Sequence, residues 1–412
     1  MKIIISQGQG KLHINETASA LKNENATILY ITGWLPKKLP STLVNGIGRL
    51  IGRKELYRLL MLRQPLNLSD SEIATCSLAE FWYWFLVLLS KTKIITYDNA
   101  ITKGWLYWGA ATKKYLGEAA IFHVRSGAGQ GGAIKKAKKN GMLIIADYSM
   151  AHPIAIEKYL KPEYDKFNRR LMITPDTKFC SVIIKDCYDA DYILANSDFV
   201  KETLVENGFA REKIKVIYLG VRKDFFYIKD NWEIKDKTTR LLFTGVFSLL
   251  KGARIMIEAI RLLNKRNCAV ILDIVGRPED FEALARAYSI PSNINFHGSV
   301  IQDDLKSFLS DSDLYIFPTF VEGCARSAME AMAAGLPVIT THNCGVPIVH
   351  NETGIIIPIN NPEALANEVQ RLISNKALRE SVGKNAASLV ANNYTWSDYG
   401  KQLMEFYKEI VP

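Results

Sequence analysis

The sequence predicts an α/β protein made of two doubly wound, Rossmann-like domains. Three observations lead to this prediction. Short β-rich segments alternate with helical or turn-rich stretches along most of the chain. The alternation stops at a polar segment near 221–239 and then begins again. A length of 412 residues exceeds one ordinary core and suits two domains of about 150 to 200 residues each.

The strand candidates fall into two series, and parallel sheets with crossover helices are the arrangement that such a series favours. The first series is KIIIS (2–6), ATILYIT (26–32), KIITY (93–97), AAIFHV (119–124), MLIIAD (142–147), DYILANS (191–197) and KIKVIYL (213–219). The second is RLLFTG (240–245), AVILDIVG (269–276), INFHG (294–298), DLYIFP (313–318), LPVITT (336–341) and GIIIP (354–358).

The domain limits follow from these series. We assign residues 1–220 to the first domain, 221–390 to the second, and 391–412 to a C-terminal helix. The segment 394–410 has the pattern of an amphipathic helix, because its large apolar residues recur on one side. These residues are Trp396, Tyr399, Leu403 and Phe406.

Composition limits the cellular setting. The hydrophobic fraction of 48% is ample for two cores. The densest apolar run, FWYWFLVLL at 81–89, is about half of a membrane span. MKIIISQGQG has too short an apolar run for a signal peptide, so we expect a cytoplasmic protein. The six cysteines show no CxxC spacing and are expected to be reduced thiols rather than zinc ligands or disulfides.

Charge is distributed unevenly between the two halves. Residues 1–220 hold 31 Lys and Arg against 20 Asp and Glu, whereas residues 221–412 hold 21 against 22. The net charge of +10 therefore comes entirely from the first half. A basic first domain indicates an anionic acceptor or an anionic membrane surface. Nucleic acid is disfavoured as a partner, since no binding motif accompanies the charge.

The stretch PTFVEGCARSAMEAMAAGLPVITT at 318–341 is the most informative of the chain. The spacing predicts a strand, a loop and then a helix ended by Gly335, with Glu322 at the mouth of the helix. Glu330 lies two turns further, about 12 Å along the helix axis. Free amides at the helix start attract an anion. One carboxylate for sugar hydroxyls, amides for a diphosphate and a second carboxylate for a ribose diol describe a site for a nucleotide-sugar donor.

EGCARSAMEAMAAGLPVI resembles the Glu-x7-Glu signature of the retaining group 1 glycosyltransferases, which form glycosyltransferase family 4 and have the GT-B fold. Segments 189–221 and 241–260 are also similar to this family. The resemblance covers most of residues 185–360, while the first 180 residues resemble the family only in pattern. It implies two facing domains with a cleft between them, and a C-terminal helix that crosses back onto the first domain.

The resemblance implies roles for the second domain. Glu330 would bind the ribose hydroxyls, Glu322 would lie near the transferred sugar, and Lys251 would neutralise the departing pyrophosphate. The family usually has an arginine where this chain has Val246, so Arg254, Arg277 or Arg326 must supply that cation, with Arg277 and Arg326 favoured. Further donor contacts would come from the residues Gly245, Gly276, Gly298, Gly323, Arg326 and Ser327.

The first domain offers weaker signals. Gly8 and Gly10 follow the first strand and would let backbone approach a phosphate. A dinucleotide fingerprint would need a third glycine at position 13, which is His13, and this argues against a nicotinamide enzyme.

Two later strand ends of the first domain gather candidate residues for catalysis and for the acceptor. The resemblance ranks Asp147 and His152 as catalytic candidates. His123 and Arg125 are candidates for acceptor binding, where a guanidinium suits a phosphate or a carboxylate. Each histidine has the alternative of a purely structural role.

Two DxD pairs raise the question of a metal. Asp189/Asp191 and Asp311/Asp313 each directly precede a strand, in stretches that GT-B proteins use structurally, so we expect neither a metal site nor any other cofactor. At the domain link the family commonly has an aspartate where this chain has Arg222, which leaves the interdomain contact there open.

Three features bear on membranes: GRLIGRKELYRLLMLR (48–63), EFWYWF (80–85) and KKAKK (135–139). Each also suits a helix that packs on a sheet or ends with lysines. Together with the charge asymmetry they indicate peripheral membrane contact.

The sequence therefore predicts a metal-independent, retaining glycosyltransferase that moves a sugar from a nucleotide-diphosphate donor to a glycan or glycolipid. Two alternatives are open. One is a GT-B partner that binds without transfer, and the other is a soluble epimerase or sugar-phosphate synthase of the same fold.

Overall fold

The computed structural model describes residues 1–8, 13–37, 39–50, 55–234 and 237–411. The first domain holds strands β1 Lys2–Ser6, β2 Thr27–Thr32, β3 Ile73–Thr75, β4 Ile121–Arg125, β5 Leu143–Tyr148, β6 Tyr192–Ala195 and β7 Ile214–Val216. Its helices are α1 Ile14–Asn23, α2 Ser41–Leu50, α3 Leu56–Met61, α4 Ser77–Lys91, α5 Tyr97–Thr112, α6 Ala133–Lys139, α7 Pro153–Lys166, α8 Lys178–Asp189 and α9 Asp198–Val205.

The second domain holds strands β8 Thr239–Thr244, β9 Val270–Val275, β10 Ile294–Gly298, β11 Leu314–Phe317, β12 Val338–Thr341 and β13 Ile355–Ile357. Its helices are α10 Ala253–Lys265, α11 Phe281–Ala287, α12 Gln302–Asp311, α13 Arg326–Ala334, α14 Pro362–Ser374 and α15 Lys376–Asn393. The chain ends in α16, Trp396–Ile410.

Each domain is built on one parallel sheet. In the described residues the strand orders are β3-β2-β1-β4-β5-β6-β7 and β10-β9-β8-β11-β12-β13. The direction of winding reverses between β1 and β4 in the first sheet and between β8 and β11 in the second. Ligands of open α/β sheets bind outside the carboxyl ends of the strands at such switch points. The predicted fold class is confirmed, whereas the exact domain limits stay a prediction.

One predicted strand is wrong. KIITY at 93–97 is the turn between α4 and α5 and the first residue of α5, and β3 at Ile73–Thr75 takes the edge position. The turn needs a positive φ of 63° at Lys93, and the hydroxyl of Thr96 accepts a hydrogen bond from the Asn99 amide at 3.2 Å to begin α5. The β-branched residues that suggested a strand therefore serve a helix cap and a turn.

The two faces of the first sheet are covered by different helices. Ile3 and Ile5 pack with α1 and α16, whereas Ile4 packs on the opposite face with Trp105 and Trp108 of α5. Helix α16 thus returns to the first domain and buries Tyr399, Leu403, Phe406 and Tyr407 against it.

The chain crosses between the domains twice, and the two crossings lie side by side. Val221 forms a parallel β-bridge with Thr395, and its amide donates to the Tyr394 carbonyl at 2.8 Å. A Cβ on Gly220 would lie 2.4 Å from the Trp396 nitrogen, so the second crossing passes directly over this glycine.

A buried ion pair also joins the domains. Arg254 of α10 binds Glu163 of α7 through two hydrogen bonds of 2.6 and 2.9 Å. Glu163 is only 1% exposed and has one other cation within reach, Lys166 at 3.1 Å. Bidentate contacts of this kind are the strong form of the pair.

We predict that Arg254→Ala lowers the free energy of unfolding by about 3 kcal/mol, because it leaves the Glu163 carboxylate buried without its main partner. Urea unfolding at neutral pH measures the change. Lys161→Ala is the matched control, since Lys161 pairs with Asp165 on the same helix with both side chains about half exposed, and such pairs contribute at most about 1 kcal/mol. Equal losses in the two variants would contradict the prediction.

Candidate functional site: the switch point of the second sheet

The loops after β8 and β11 meet at the switch point of the second sheet. Lys251, which follows β8, forms an ion pair with Glu322, which follows β11. Both side chains are about one-fifth exposed, and the Lys251 ammonium lies 5.0 Å from the centre of the Phe317 ring. The structure therefore brings together two of the predicted site residues that are 71 positions apart.

Backbone contacts fix the two loops against each other. The Leu250 carbonyl accepts hydrogen bonds from the Phe320 amide at 2.9 Å and from the Thr319 hydroxyl at 3.0 Å. Gly252 has a φ of 80°, and a Cβ there would lie 2.1 Å from the Pro318 carbonyl oxygen. Only glycine permits this approach, so Lys251 is held beside Glu322 by the close packing of the loops.

Three predicted glycines line the adjacent strand ends. Gly245 and Gly276 directly follow β8 and β9, and Gly298 is the last residue of β10. An isolated bridge joins Gly276 to Gly298. A Cβ on Gly276 would lie 1.8 Å from the Gly245 carbonyl oxygen. Bare backbone is therefore exposed along this edge, which suits the close approach of a flat ligand.

The N-terminus of α13 supplies unpaired amides. Within the described residues, the amides of Arg326 and Ser327 donate to no acceptor, because they begin the helix. The side chain of Arg326 is exposed beside them, and Ser327 is half-buried. Gly323, in the loop before the helix, is buried, and a Cβ there would lie 2.1 Å from the Ser149 carbonyl oxygen. An anion at this helix start meets backbone donors and the positive end of the helix dipole.

Glu330 lies one turn after Arg326 on the same helix. Its carboxylate forms no hydrogen bond or ion pair with the residues that the structure describes, and it lines a small cavity with Arg222 and Arg326. Burial raises the pKa of Glu330, although the charges of Arg326 and Arg222 act in the opposite direction. A half-buried carboxylate without a partner is available to hydroxyl groups of a ligand.

The switch point of the first sheet lies at Gly8 and Arg125. The Arg125 guanidinium is 4.8 Å from the centre of the Trp105 ring, and a Cβ on Gly8 would lie 2.6 Å from the same ring. Burial lowers the pKa of Arg125 to about 10, against the opposing charge of Asp147. The predicted phosphate contact at Gly10 lies outside the described residues.

Asp147 is at the centre of a buried network rather than on an open surface. The rings of His13 and His123 donate to its carboxylate at 3.0 and 3.1 Å, and Tyr407 of α16 hydrogen-bonds the other nitrogen of His123. Burial alone would raise the pKa of Asp147, but the two histidines outweigh it and hold that pKa below its usual range. Asp147 is 3% exposed.

His123, which the sequence predicts to bind the acceptor, lies inside the protein, and its acceptor-binding role stays a prediction. His123 is fully buried, and both of its ring nitrogens are occupied by Asp147 and Tyr407. His123 thereby ties the first sheet to α16. The charge of Asp147 opposes the effect of burial on the pKa of Arg125.

His152 caps a helix. Its Nδ1 atom accepts a hydrogen bond from the Ile154 amide at 3.3 Å at the start of α7, and its own amide donates to the Thr203 hydroxyl at 3.0 Å. Burial lowers the pKa of His152 to about 4. The ring caps α7 in this structure, and the catalytic role predicted for His152 stays a prediction.

The cleft between the domains narrows at the loop after β11. The Ser197 hydroxyl donates to the Gly323 carbonyl at 2.5 Å. Beside this contact lies a cavity of about 260 Å³ between the loop after β5 and the loops after β8 and β11, with Met150, Leu250 and Glu322 in its lining. Glu322 thus faces a space that is shared by the two domains.

The structure also decides which cations are available near Val246. Arg254 is excluded, because it is buried in its contacts with Glu163, Glu258 and Asn360. Arg277 follows β9, is 71% exposed, and pairs only loosely with Glu279 at 3.3 Å. Arg326 and Arg277 therefore remain as the candidates favoured from the sequence.

The DxD pairs have structural contacts. Asp191 accepts from the Ile144 amide at 2.8 Å, and Asp313 accepts from the Arg240 amide at 2.8 Å. Asp189 accepts from the Gln130 amide group at 2.9 Å. Among the described residues, no three His, Cys, Asp or Glu side chains have the arrangement of a metal site.

Sequence reasoning missed three residues of the first domain. His13 enters the sequence analysis only because a dinucleotide fingerprint would have glycine at this position, whereas its ring hydrogen-bonds the Asp147 carboxylate. Trp105 contacts both Gly8 and Arg125 and had no motif to mark it. Asp186 accepts hydrogen bonds from the Gly127 and Gly129 amides and shapes the loop after β4. Of these three contacts, the sequence indicates only the loop after β4, because repeated glycines such as Gly127 and Gly129 are typical of backbone that packs closely against another group.

Residues 224–389 match the model of the family described as glycosyl transferases group 1. An uncharacterized glycosyltransferase of Methanocaldococcus jannaschii is 28% identical over 54% of this chain and 60% of that protein. The capsular polysaccharide biosynthesis glycosyltransferase CapM of Staphylococcus aureus is 27% identical over 53% of this chain and 62% of that protein. The chain thus spans about three-fifths of the length of these relatives.

Solved structures agree over the whole chain. Sucrose-phosphate synthase from Thermosynechococcus elongatus superposes with a TM-score of 0.67 at 15% identity, covering 100% of this chain and 99% of that one. Anabaena HepE in complex with UDP and glucose gives a TM-score of 0.62 at 14% identity, covering 100% of both chains. These superpositions show that the two facing Rossmann-like domains have the GT-B fold. Residues 224–389 of this chain are thus similar to the group 1 glycosyltransferases.

We predict that His152 makes stability depend on pH. Its folded-state pKa of about 4 is below the ordinary 6.5, so the unfolded chain binds more protons between these values and stability falls as the pH falls. The loss from pH 7 to pH 4 is about 3 kcal/mol at most. Urea unfolding of wild type and His152→Asn across this range measures it, and the variant keeps a capping side chain.

His342→Asn is the control for this effect, because His342 is 60% exposed. The control should follow the wild-type pH dependence, whereas His152→Asn should show a shallower one. Parallel curves for all three proteins would refute the assignment.

Proposed function

We propose that the protein is a retaining glycosyltransferase of family 4 that transfers a sugar from a nucleotide-diphosphate donor to a glycan or glycolipid acceptor. The observation that carries this proposal is that two carboxylates lie near one switch point in different surroundings. Glu322 is held by Lys251 at the cleft, while Glu330 has no partner among the described residues and lies one turn into α13.

Each part of such a donor has a matching group. The amides of Arg326 and Ser327 and the ammonium of Lys251 suit the diphosphate. Glu330 suits the ribose diol, and the bare backbone at Gly245, Gly276 and Gly298 suits the base. Anabaena HepE, which shares the fold, is described in complex with UDP and glucose, and this supports a nucleotide sugar as the ligand class.

Transfer would form a bond between the acceptor oxygen and the anomeric carbon as the bond from that carbon to the diphosphate breaks. The acceptor proton would pass to the departing phosphate on the same face of the sugar, which retains the configuration. Charge then develops on the diphosphate, and preorganised donors are most effective there. Lys251 is preorganised by Glu322, and Arg326 is our choice for the second cation because it lies beside the free amides. These cations make a metal unnecessary in this proposal.

The acceptor is proposed by chemistry only. Arg125 stands beside Trp105 at the switch point of the basic first domain, and an aromatic ring next to a guanidinium suits a sugar that carries phosphate or carboxylate. CapM is named for capsular polysaccharide biosynthesis. A cell-surface polysaccharide or glycolipid pathway, with the protein in the cytoplasm at the membrane, fits both observations.

We predict that one nucleoside diphosphate among UDP, GDP, ADP and dTDP raises the unfolding temperature of the wild type. A ligand at a hundred times its dissociation constant stabilises by about 2.7 kcal/mol. Glu330→Gln should weaken that nucleotide about tenfold, because the neutral amide no longer accepts two hydroxyl hydrogen bonds. Glu352→Gln, an exposed carboxylate elsewhere in the domain, should bind as wild type. Unchanged affinity in Glu330→Gln would remove the ribose assignment.

We predict that Lys251→Met lowers kcat for transfer by about a hundredfold, as loss of one preorganised charge contact does. Initial rates with the nucleotide sugar of the base found above measure the effect. Arg326→Ala should also lower kcat, and Arg277→Ala serves as the comparison. A larger loss of kcat in Arg277→Ala than in Arg326→Ala would identify Arg277, in the loop after β9, as the second cation. Donor binding without any transfer to glycan acceptors would favour a non-catalytic partner, and donor conversion without acceptor would favour an epimerase.

A further inference from the structure

The hairpin of α4 and α5 carries an apolar surface that the fold leaves uncovered. Its α4 residues recur at helical spacing on one side and are between 40% and 77% exposed, namely Leu78, Phe81, Trp82, Phe85 and Leu88. Such a row of large side chains belongs in a core or at an interface, and single exposed residues do not explain it.

The exposed side chains form one continuous surface. Trp82 stacks on Phe85 with ring centres 5.6 Å apart and contacts Tyr107 of α5 at 6.2 Å. Leu78, Phe81, Trp82, Phe85 and Tyr107 line a single shallow depression. At the tip of the hairpin Ile94 is 70% exposed and extends the surface. We call this set of residues the apolar face of the hairpin.

The free charges within the hairpin itself have one sign. Residues 77–112 contain two acidic side chains, and both are engaged within the protein. Glu80 is 1% exposed and binds Arg63, and Asp98 accepts from the amides of Lys178 and Phe179. The basic residues Lys91, Lys93 and Lys103 are all exposed.

This combination fits a lipid surface better than a second copy of the chain. Aromatic rings and lysines together are typical of helices that lie in the bilayer interface, where the rings enter the headgroup region and the lysines meet anionic lipid. Pairing of two copies through the apolar face would instead bring their lysines together. Within the described residues no helix is long and apolar enough to span a membrane.

The hairpin also connects this surface to the first switch point. Tyr83 of α4 packs against Gly104 of α5, and the next residue, Trp105, contacts Gly8 and Arg125. Helix α5 therefore contributes Tyr107 to the apolar face and Trp105 to the first switch point. A lipid-linked acceptor docked at the apolar face would approach the cleft from this side of the first domain.

We propose that the apolar face of the α4–α5 hairpin docks the protein on an anionic lipid surface. The role in presenting a lipid-linked acceptor rests on the proposed function, but the docking itself does not. The face enters the headgroup region, and Lys91, Lys93 and Lys103 hold it there electrostatically.

Sedimentation with vesicles of phosphatidylcholine and phosphatidylglycerol tests this. The double variant Trp82→Ser/Phe85→Ser should bind at least about tenfold more weakly than wild type, because two large apolar side chains leave the bilayer. Its matched control is Ile301→Ser/Val349→Ser, which removes two exposed apolar side chains of the second domain and should bind as wild type. Unchanged binding of Trp82→Ser/Phe85→Ser would overturn the proposal.

A second variant tests the charge component. Lys91→Glu/Lys93→Glu should lose binding at low salt, whereas with vesicles of phosphatidylcholine alone it should match wild type. Binding of wild type that is indifferent to phosphatidylglycerol would overturn the anionic part of the proposal. A wild-type dimer that dissociates in Trp82→Ser/Phe85→Ser, without any vesicle binding, would show a self-interface instead and would also overturn it.

Nucleotide stabilisation of the same variants separates this proposal from the proposed function. Normal stabilisation by the nucleoside diphosphate with lost vesicle binding supports the docking role and shows that the variant is folded. If the wild type binds vesicles but no nucleotide stabilises it, the docking proposal is supported and the glycosyltransferase proposal is contradicted. Stabilisation by a nucleotide without any vesicle binding would overturn the docking surface alone.

Discussion

The contact between the loops after β8 and β11 determines how the rest of the candidate site is arranged. The Leu250 carbonyl accepts hydrogen bonds from the Phe320 amide and from the Thr319 hydroxyl. Gly252 has no side chain, so the Pro318 carbonyl can pack directly against it. Lys251 and Glu322 are neighbours because of this contact, and α13 begins directly after it. A charged pair at a switch point is thus held by neutral backbone groups, which do not depend on pH or salt.

Local patterns were sufficient to predict the second domain. A strand end, a glycine that needs positive φ and a helix start are each visible within about ten residues, and Gly245, Gly276, Glu322 and Glu330 all lie on such features. For the second cation the structure excludes Arg254, whose guanidinium is held by Glu163 of α7, and it leaves Arg277 and Arg326 as candidates.

The first domain could be predicted less completely, and the reason is distance along the chain. His123 is a good candidate on its own strand, but it is buried by Tyr407, 284 positions later. KIITY has strand propensity, yet the packing of α4 on α5 makes it a turn. In both places tertiary contacts set the surroundings of a segment that the local sequence does not reveal. The aromatic run at 80–85 shows the same limit, since the sequence predicts a helix but not which side of that helix is exposed.

The paired chain crossings at Val221 and Thr395 have a mechanical consequence. Because the two covalent links are bridged to each other, a change in the angle between the domains has to bend both backbones at the same place. The Arg254–Glu163 pair joins α10 to α7 across the same boundary, and Ile156 and Leu160 of α7 belong to the hydrophobic cluster of the second domain. A movement of the domains apart would therefore have to break a buried ion pair and apolar contacts together.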